Sequence, residues 1–147
     1  MGKKRIVKKT SKSGGGKSAA LKSRFLSRAT KKKIESGILY IQSTYNNTRV
    51  SLTDKKGNLI CSLSSGALGF KGAKKGTPFA AAKAGELIGE TAQNMGVKTV
   101  DIIVKGVGAG RESSIRSFIS RGIHIDSIKD KTPIPHNGPR PKKPRRV

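Results

Sequence analysis

Two glycine-punctuated stretches are where this chain could hold a phosphate: GVGAGR at residues 106–111 and GFKGAKKG at residues 69–76. The first lies between a β-rich run and a helix start. There Gly106, Gly108 and Gly110 would let backbone N–H groups and the helix dipole attract an anion, and Arg111 would add a two-pronged donor. It resembles a dinucleotide-binding fingerprint, but Arg111 stands where the third glycine belongs. A tight strand-to-helix turn with a solvated arginine would look the same. The second stretch brings Lys71, Lys74 and Lys75 on a backbone that can approach a ligand closely. No frame in the chain spells a P-loop, which needs Gly, four residues, then Gly-Lys-Ser/Thr.

Catalytic chemistry is poorly provided for. Asp54, Asp101 and Asp126 fall in or beside β-like runs, and three such carboxylates could hold Mg²⁺ for phosphodiester cleavage. Each has a simpler role. Asp54 opens the turn DKKGN, Asp101 alternates with Val100 and Ile102 and can face outward, and Asp126 neighbours a basic tail. His124 and His136 have no Cys or carboxylate at a ligand-like spacing. No metal, cofactor, small-molecule substrate or catalytic residue is expected.

Charge points to the partner. The chain has 147 residues and a formal charge of +24, from 32 Lys and Arg against 8 acids. Such self-repulsion asks for a polyanion. Residues 1–35 carry 13 cations and one acid, residues 36–128 carry 12 and six, and residues 129–147 carry seven and one. The middle is an ordinary mixed-charge domain with a basic arm at either end. The polyanion would be nucleic acid or an anionic membrane face, and no apolar run approaches the roughly 20 residues of a membrane span. The start, MGKKRIVKKT, lacks the apolar region of a secretory signal. Residues 1–34 hold no acid, as transit peptides often do, but ten Lys against three Arg runs against their usual arginine bias. The single Cys61 excludes an internal disulfide and fits a reducing compartment.

The elements that must position these residues follow from periodicity. Residues 1–35 mix Lys, Ser and Gly and read as a flexible arm, with a short helix conceivable over Ser18–Thr30. GILYIQST is a strand and YNNT a break. TRVSLTD alternates as a half-buried strand, DKKGN is a hairpin turn with Gly57 at positive φ, and LICSLSS is a third strand. Thr77-Pro78 caps a helix whose Ala80, Ala84, Leu87, Ile88, Ala92 and Met95 share a face, ended by Gly96. TVDIIVKGV is an apolar strand. A second helix follows, with Ile115, Phe118 and Ile119 on one face, and IHIDSI is the last strand. Five of six prolines fall in residues 133–147, so regular structure stops there. The order βββαβαβ predicts an α/β domain over residues 36–128, a mixed five-stranded sheet in three α/β/α layers. Aromatics for base stacking are few, with Tyr40, Tyr45 and Phe70 the exposed candidates, so recognition should rest on phosphate and shape.

Four stretches together carry a family resemblance: IQSTYNNTRVSLTD, SGALGFKGAKKGTPFAAAKAGE, VKGVGAGRESSIR and SIKDKTPIPHNGPRPKKPRRV. They run in order through residues 37–147, and the chain resembles the universal small-subunit ribosomal proteins of the S-eleven family, in their bacterial or organellar form. The resemblance implies a ribonuclease-H-like fold without catalysis. It also implies binding to folded ribosomal RNA in the platform of the small subunit, near the messenger and tRNA exit side, beside neighbouring ribosomal proteins. The location implied is the ribosome, cytoplasmic or organellar. The RNA contacts it implies are Asn46, Asn47, Thr48, Lys71, Lys74, Lys75, Gly108, Gly110, Arg111, Arg116, His136, Asn137, Arg140, Lys142, Lys143, Arg145 and Arg146. Ser62 stands where the family usually has Trp and Pro139 where it usually has Cys, and the final RPKKP replaces adjacent prolines. Rival readings are a metal-dependent nuclease on the same fold and a histone-like duplex packer.

The tail HNGPRPKKPRRV tests whether its prolines matter beyond its charge. Each proline limits the unbound chain by about 0.4–1 kcal/mol. Changing Pro139, Pro141 and Pro144 together to Gly should therefore weaken RNA binding about 5- to 150-fold, from roughly 1–3 kcal/mol. The salt dependence should stay constant, because every cation remains. Equal affinities across a salt titration would make the tail a charge and nothing more.

Overall fold

The computed structural model describes residues 33–144. The conceivable helix at Ser18–Thr30 and the cations Arg145 and Arg146 lie outside them. Five strands and two α-helices alternate along the chain: β1 Ser36–Ser43, β2 Thr48–Asp54, β3 Leu59–Ser64, α1 Pro78–Asn94, β4 Thr99–Lys105, α2 Gly110–Ile119 and β5 His124–Asp130. The strands form one sheet in the order β3-β2-β1-β4-β5. β2 is antiparallel to β1 and β3, while β1, β4 and β5 pair in parallel.

Local chemistry explains the boundaries. Gly57, at φ +88°, makes the β2–β3 turn and donates to the Asp54 carbonyl at 2.9 Å. The Thr77 side chain accepts from the Ala80 N–H at 3.4 Å, Pro78 takes the first helical position, and Gly96 at φ +81° follows the helix end. β5 continues to Asp130, two residues beyond the IHIDSI run, because Lys131 N–H still pairs with the Val104 carbonyl. The parallel ladder thus carries the chain to the base of the tail. A register shift between Val100 and Asp101 leaves Asp126 as an extra residue in β5.

Register sorts the sheet into two faces. Leu39, Ile41, Val50, Leu52, Cys61, Leu63, Val100, Ile102 and Val104 align on one face and are buried. Ala84, Ile88, Ala92 and Met95 of the α1 region and Phe118 of α2 join them in a single core. The expected layering is corrected here: among the described residues there are two layers, with both helices on this one face. The reason is topological. β3 to β4 and β4 to β5 step in the same direction along the sheet, so two crossovers of the same hand put their helices on the same side. Ile119, expected in the apolar stripe of α2, is largely exposed, whereas Phe118 is fully buried. Thr53, a polar position in the alternation of TRVSLTD, is buried as well.

α1 and α2 pack directly on one another. A Cβ added at Gly85 would lie 2.4 Å from the Ser114 carbonyl oxygen, and Gly89 faces Arg121 and the Phe118 carbonyl. Arg121 also pairs with Glu86, which Lys83 holds at 2.8 Å on the same helix. An alanine in a helix is ordinarily more favourable than glycine by about 1 kcal/mol. At Gly85 the sign should reverse. Gly85→Ala is expected to destabilise the domain by about 1–3 kcal/mol, seen as a lower urea midpoint. A higher midpoint would show that the helices are free to move apart.

Candidate nucleic-acid interface

The loops that carry the candidate residues leave the sheet at one end. β1, β3, β4 and β5 all finish there, β2 starts there, and both helices begin there. The β1–β2 turn, residues 44–47, is closed by Thr44. Its N–H donates to the Asn47 carbonyl at 2.8 Å, and its hydroxyl both donates to that carbonyl at 3.0 Å and accepts from the Asn47 N–H at 3.2 Å. Left-handed backbone at Asn46 or Asn47 is not used: among the described residues the one non-glycine with positive φ is Asn137, at 54°.

Onto this turn the other loops are pressed at distances only glycine allows. A Cβ at Gly76 would lie 2.2 Å from the Tyr45 carbonyl oxygen, one at Gly106 2.1 Å from that of Ser43, and one at Gly108 2.3 Å from that of Thr44. One at Gly110 would meet Thr48 Oγ1 at 2.2 Å and Ala81 at 2.6 Å. Gly76, Gly106 and Gly108 therefore admit protein backbone at close range, and Gly110 admits the side chains of Thr48 and Ala81. Gly108 N–H donates to the Ser43 carbonyl at 3.0 Å, and Gly106 N–H to Thr132 Oγ1 at 3.1 Å. Gly108, Gly110 and Thr48 are buried, and Thr48 Oγ1 lies 3.1 Å from Ser43 Oγ. Beside the turn, Ser65 donates through both its N–H and its hydroxyl to the Thr48 carbonyl, at 2.9 and 3.2 Å. Of the expected contacts, these three serve the seam between loops.

What the seam presents outward is cationic. Lys71 and Lys74 are exposed and Lys75 is half-buried; a 3-10 turn over Gly72–Gly76 holds the last two. Asn46 is exposed beside them, and Lys105 at the end of β4 adds a charge that the sequence reading passed over. No acid occurs between Ser64 and Pro78. Asn47 and Arg49 line an open groove of about 300 Å³ with Ser62, Leu63, Ser64 and Ala67, and the Asn47 Oδ1 is buried without a hydrogen-bond partner. Arg49 too was missed, because a lone arginine in an alternating strand looks like any solvated position. Arg116 is exposed but sits near the far end of α2, away from this group.

Arg111 is engaged within the protein. It donates to the Gly106 carbonyl at 2.5 Å and pairs with the Asp130 carboxylate. Asp130 Oδ1 also accepts from the Thr132 N–H at 2.9 Å and its hydroxyl at 2.6 Å. These bonds fasten the root of the tail to the loop after β4. Beyond it His136, Asn137, Arg140, Lys142 and Lys143 are exposed and outside regular structure, with a bend at His136-Asn137. Asp101, a candidate metal ligand by sequence, accepts from Ser127 Oγ at 2.6 Å. Among the described residues no group of three His, Cys, Asp or Glu side chains could hold a metal ion, and no helix is long and apolar enough to cross a membrane.

The Thr132 hydroxyl, then the Arg111 guanidinium, lower the Asp130 pKa to about 2. An unfolded aspartate titrates near 3.9. A depressed folded value means that the contribution of Asp130 is complete above about pH 4 and fades as the pH falls through about 2. Carbon-detected NMR should find the Asp130 carboxyl midpoint near 2, with the Gly106 and Thr132 amides moving alongside. Thr132→Val and Arg111→Gln should each raise that midpoint. A midpoint at an ordinary aspartate value in the wild type would mean that the tail root is not fastened in solution.

A cationic end on a sheet with β2 alone antiparallel can bind a polyanion. The profile of one protein family, described as ribosomal protein S11, matches residues 37–146. That span takes in all of the sheet but Ser36, both helices and the tail root. The family is structural and not enzymatic, and its members bind ribosomal RNA and neighbouring proteins within the small ribosomal subunit. On a match this extensive, the chain belongs to the ribosomal protein S11 family.

Proposed function

We propose that this protein helps assemble the platform of the small subunit, near the messenger and tRNA exit side, by holding folded ribosomal RNA against the loop-bearing end of its domain. The observation that carries this is convergence. Stretches as far apart in sequence as residues 44–47 and 130–132 meet at one end of the sheet, and the loops among them carry Lys71, Lys74, Lys75 and Lys105. The contacts assigned to RNA are Asn46, Asn47, Lys71, Lys74, Lys75 and the tail cations Arg140, Lys142 and Lys143, with Arg49 and Lys105 added. The sheet order and the single antiparallel strand support a ribonuclease-H-like reading of the fold. The basic arm of residues 1–35 and the tail supply charge on either side of the domain.

Sedimentation of the tagged protein from a cell lysate should find it with small subunits, and a free low-mass pool would count against the reading. The loop itself can be tested with Lys74→Gln combined with Lys75→Gln. Two lost phosphate contacts should lower the slope of log affinity against log salt by about 1.4–1.8, with the fold unchanged by circular dichroism. An unaltered slope would show that the lysine loop faces away from RNA.

A further inference from the structure

Phe79 is the aromatic that the sequence conceals. It lies at the second position of α1, where the helical pattern gives it no special standing, yet 63 % of it is exposed. The helix start is fixed by the Thr77 cap and by Pro78. The ring is held in turn by Phe70, with centroids 6.0 Å apart and planes at 88°. Edge-to-face contact of this kind orients a ring while occupying only part of its surface. Lys71, Lys74 and Lys75 come from the loop between the two phenylalanines, and the β1–β2 turn bearing Tyr45, 80 % exposed, rests on Gly76 just after them.

We propose that Phe79, braced by Phe70, is a stacking platform for one unpaired nucleobase of the bound RNA. The inference rests on the RNA-binding reading above and names the chemistry of one contact within it. Charge complementarity decides the occupant. An exposed ring at the helix start that follows a lysine-bearing loop without an acid suits a ligand that presents a flat π-face next to phosphate. A base does both, and because every base has such a face the platform is tolerant of sequence. The cost of ordering is small, since a phenylalanine has two side-chain torsions and the Phe70 contact already restrains this one.

The chain contains no tryptophan, so F79W makes a single-tryptophan protein whose emission reports the site. The experiment uses the full chain and a transcript of the small-subunit rRNA from its own source. Phe79→Ala should weaken binding about 5- to 150-fold, the range expected for losing one aromatic–base stack, with the salt slope unchanged. Phe79→Leu keeps apolar bulk without a π-face and should remain weak. F79W should bind at least as tightly as wild type, with its emission quenched when RNA is added. Wild-type affinity in Phe79→Leu, or an F79W protein that binds RNA with unquenched emission, would overturn the platform. In that case RNA binding and the altered slope of the Lys74/Lys75 variant would still stand. Failure of the wild type to bind the transcript would overturn both.

Discussion

The steric contact between the β1–β2 turn and the loops that surround it is the constraint on which the functional end depends. Four glycines, at positions 76, 106, 108 and 110, each stand where a methyl group would overlap the backbone or side chains of residues 43–48. Their effect is to bring two loops within hydrogen-bonding range of one turn, where Ser43, Thr44, Thr48 and Ser65 complete the bonding. Protein interiors are packed closely enough that one added carbon is felt across such a junction. The lysines, the exposed aromatics and the tail are mounted on this junction, so their mutual spacing is set by it.

Much of the fold could be read from residue order. TRVSLTD coincides with β2 from Thr48 to Asp54, because alternation of Val50 and Leu52 with polar neighbours has one reading on a half-buried sheet. Thr77-Pro78 and Gly96 bracket α1 through cap chemistry that acts within a few residues. Layering was not legible, since it follows from the spatial order of strands, which local pattern does not encode. The candidate site was legible in part. Lysines in a loop declare themselves, and they are on the surface. Thr48, Gly108 and Gly110 sit in equally suggestive motifs but are buried, because neighbouring loops of the protein pack against them. Phe79 and Arg49 went unseen for the opposite reason: exposure depends on neighbours distant in sequence.

Arg111 shows how charge is apportioned at this end. In isolation it reads as a phosphate donor, and its guanidinium geometry would serve. Its pairing with Asp130 and the Gly106 carbonyl makes it a fastener between loop and tail root. The acid nearest to the tail thus neutralises a cation that does structural duty, and the lysines beside it keep their full charge for a partner. Placing the single acid of residues 129–147 at the tail root leaves the residues beyond it without an acidic side chain.

The two borders of the sheet are guarded differently. β5 ends the sheet on one side with His124, Asp126, Lys129 and Asp130 along its length and an extra residue that breaks its regularity. Both devices discourage another chain from adding a strand. β3 ends the other side with LICSLS, six residues without one charge. Repulsion between chains of +24 opposes joining along β3. Salt screens that repulsion over about 10 Å at 0.1 M. Colloidal stability of the free protein is therefore borrowed from its net charge, and a polyanion that neutralises the charge must also keep the copies apart.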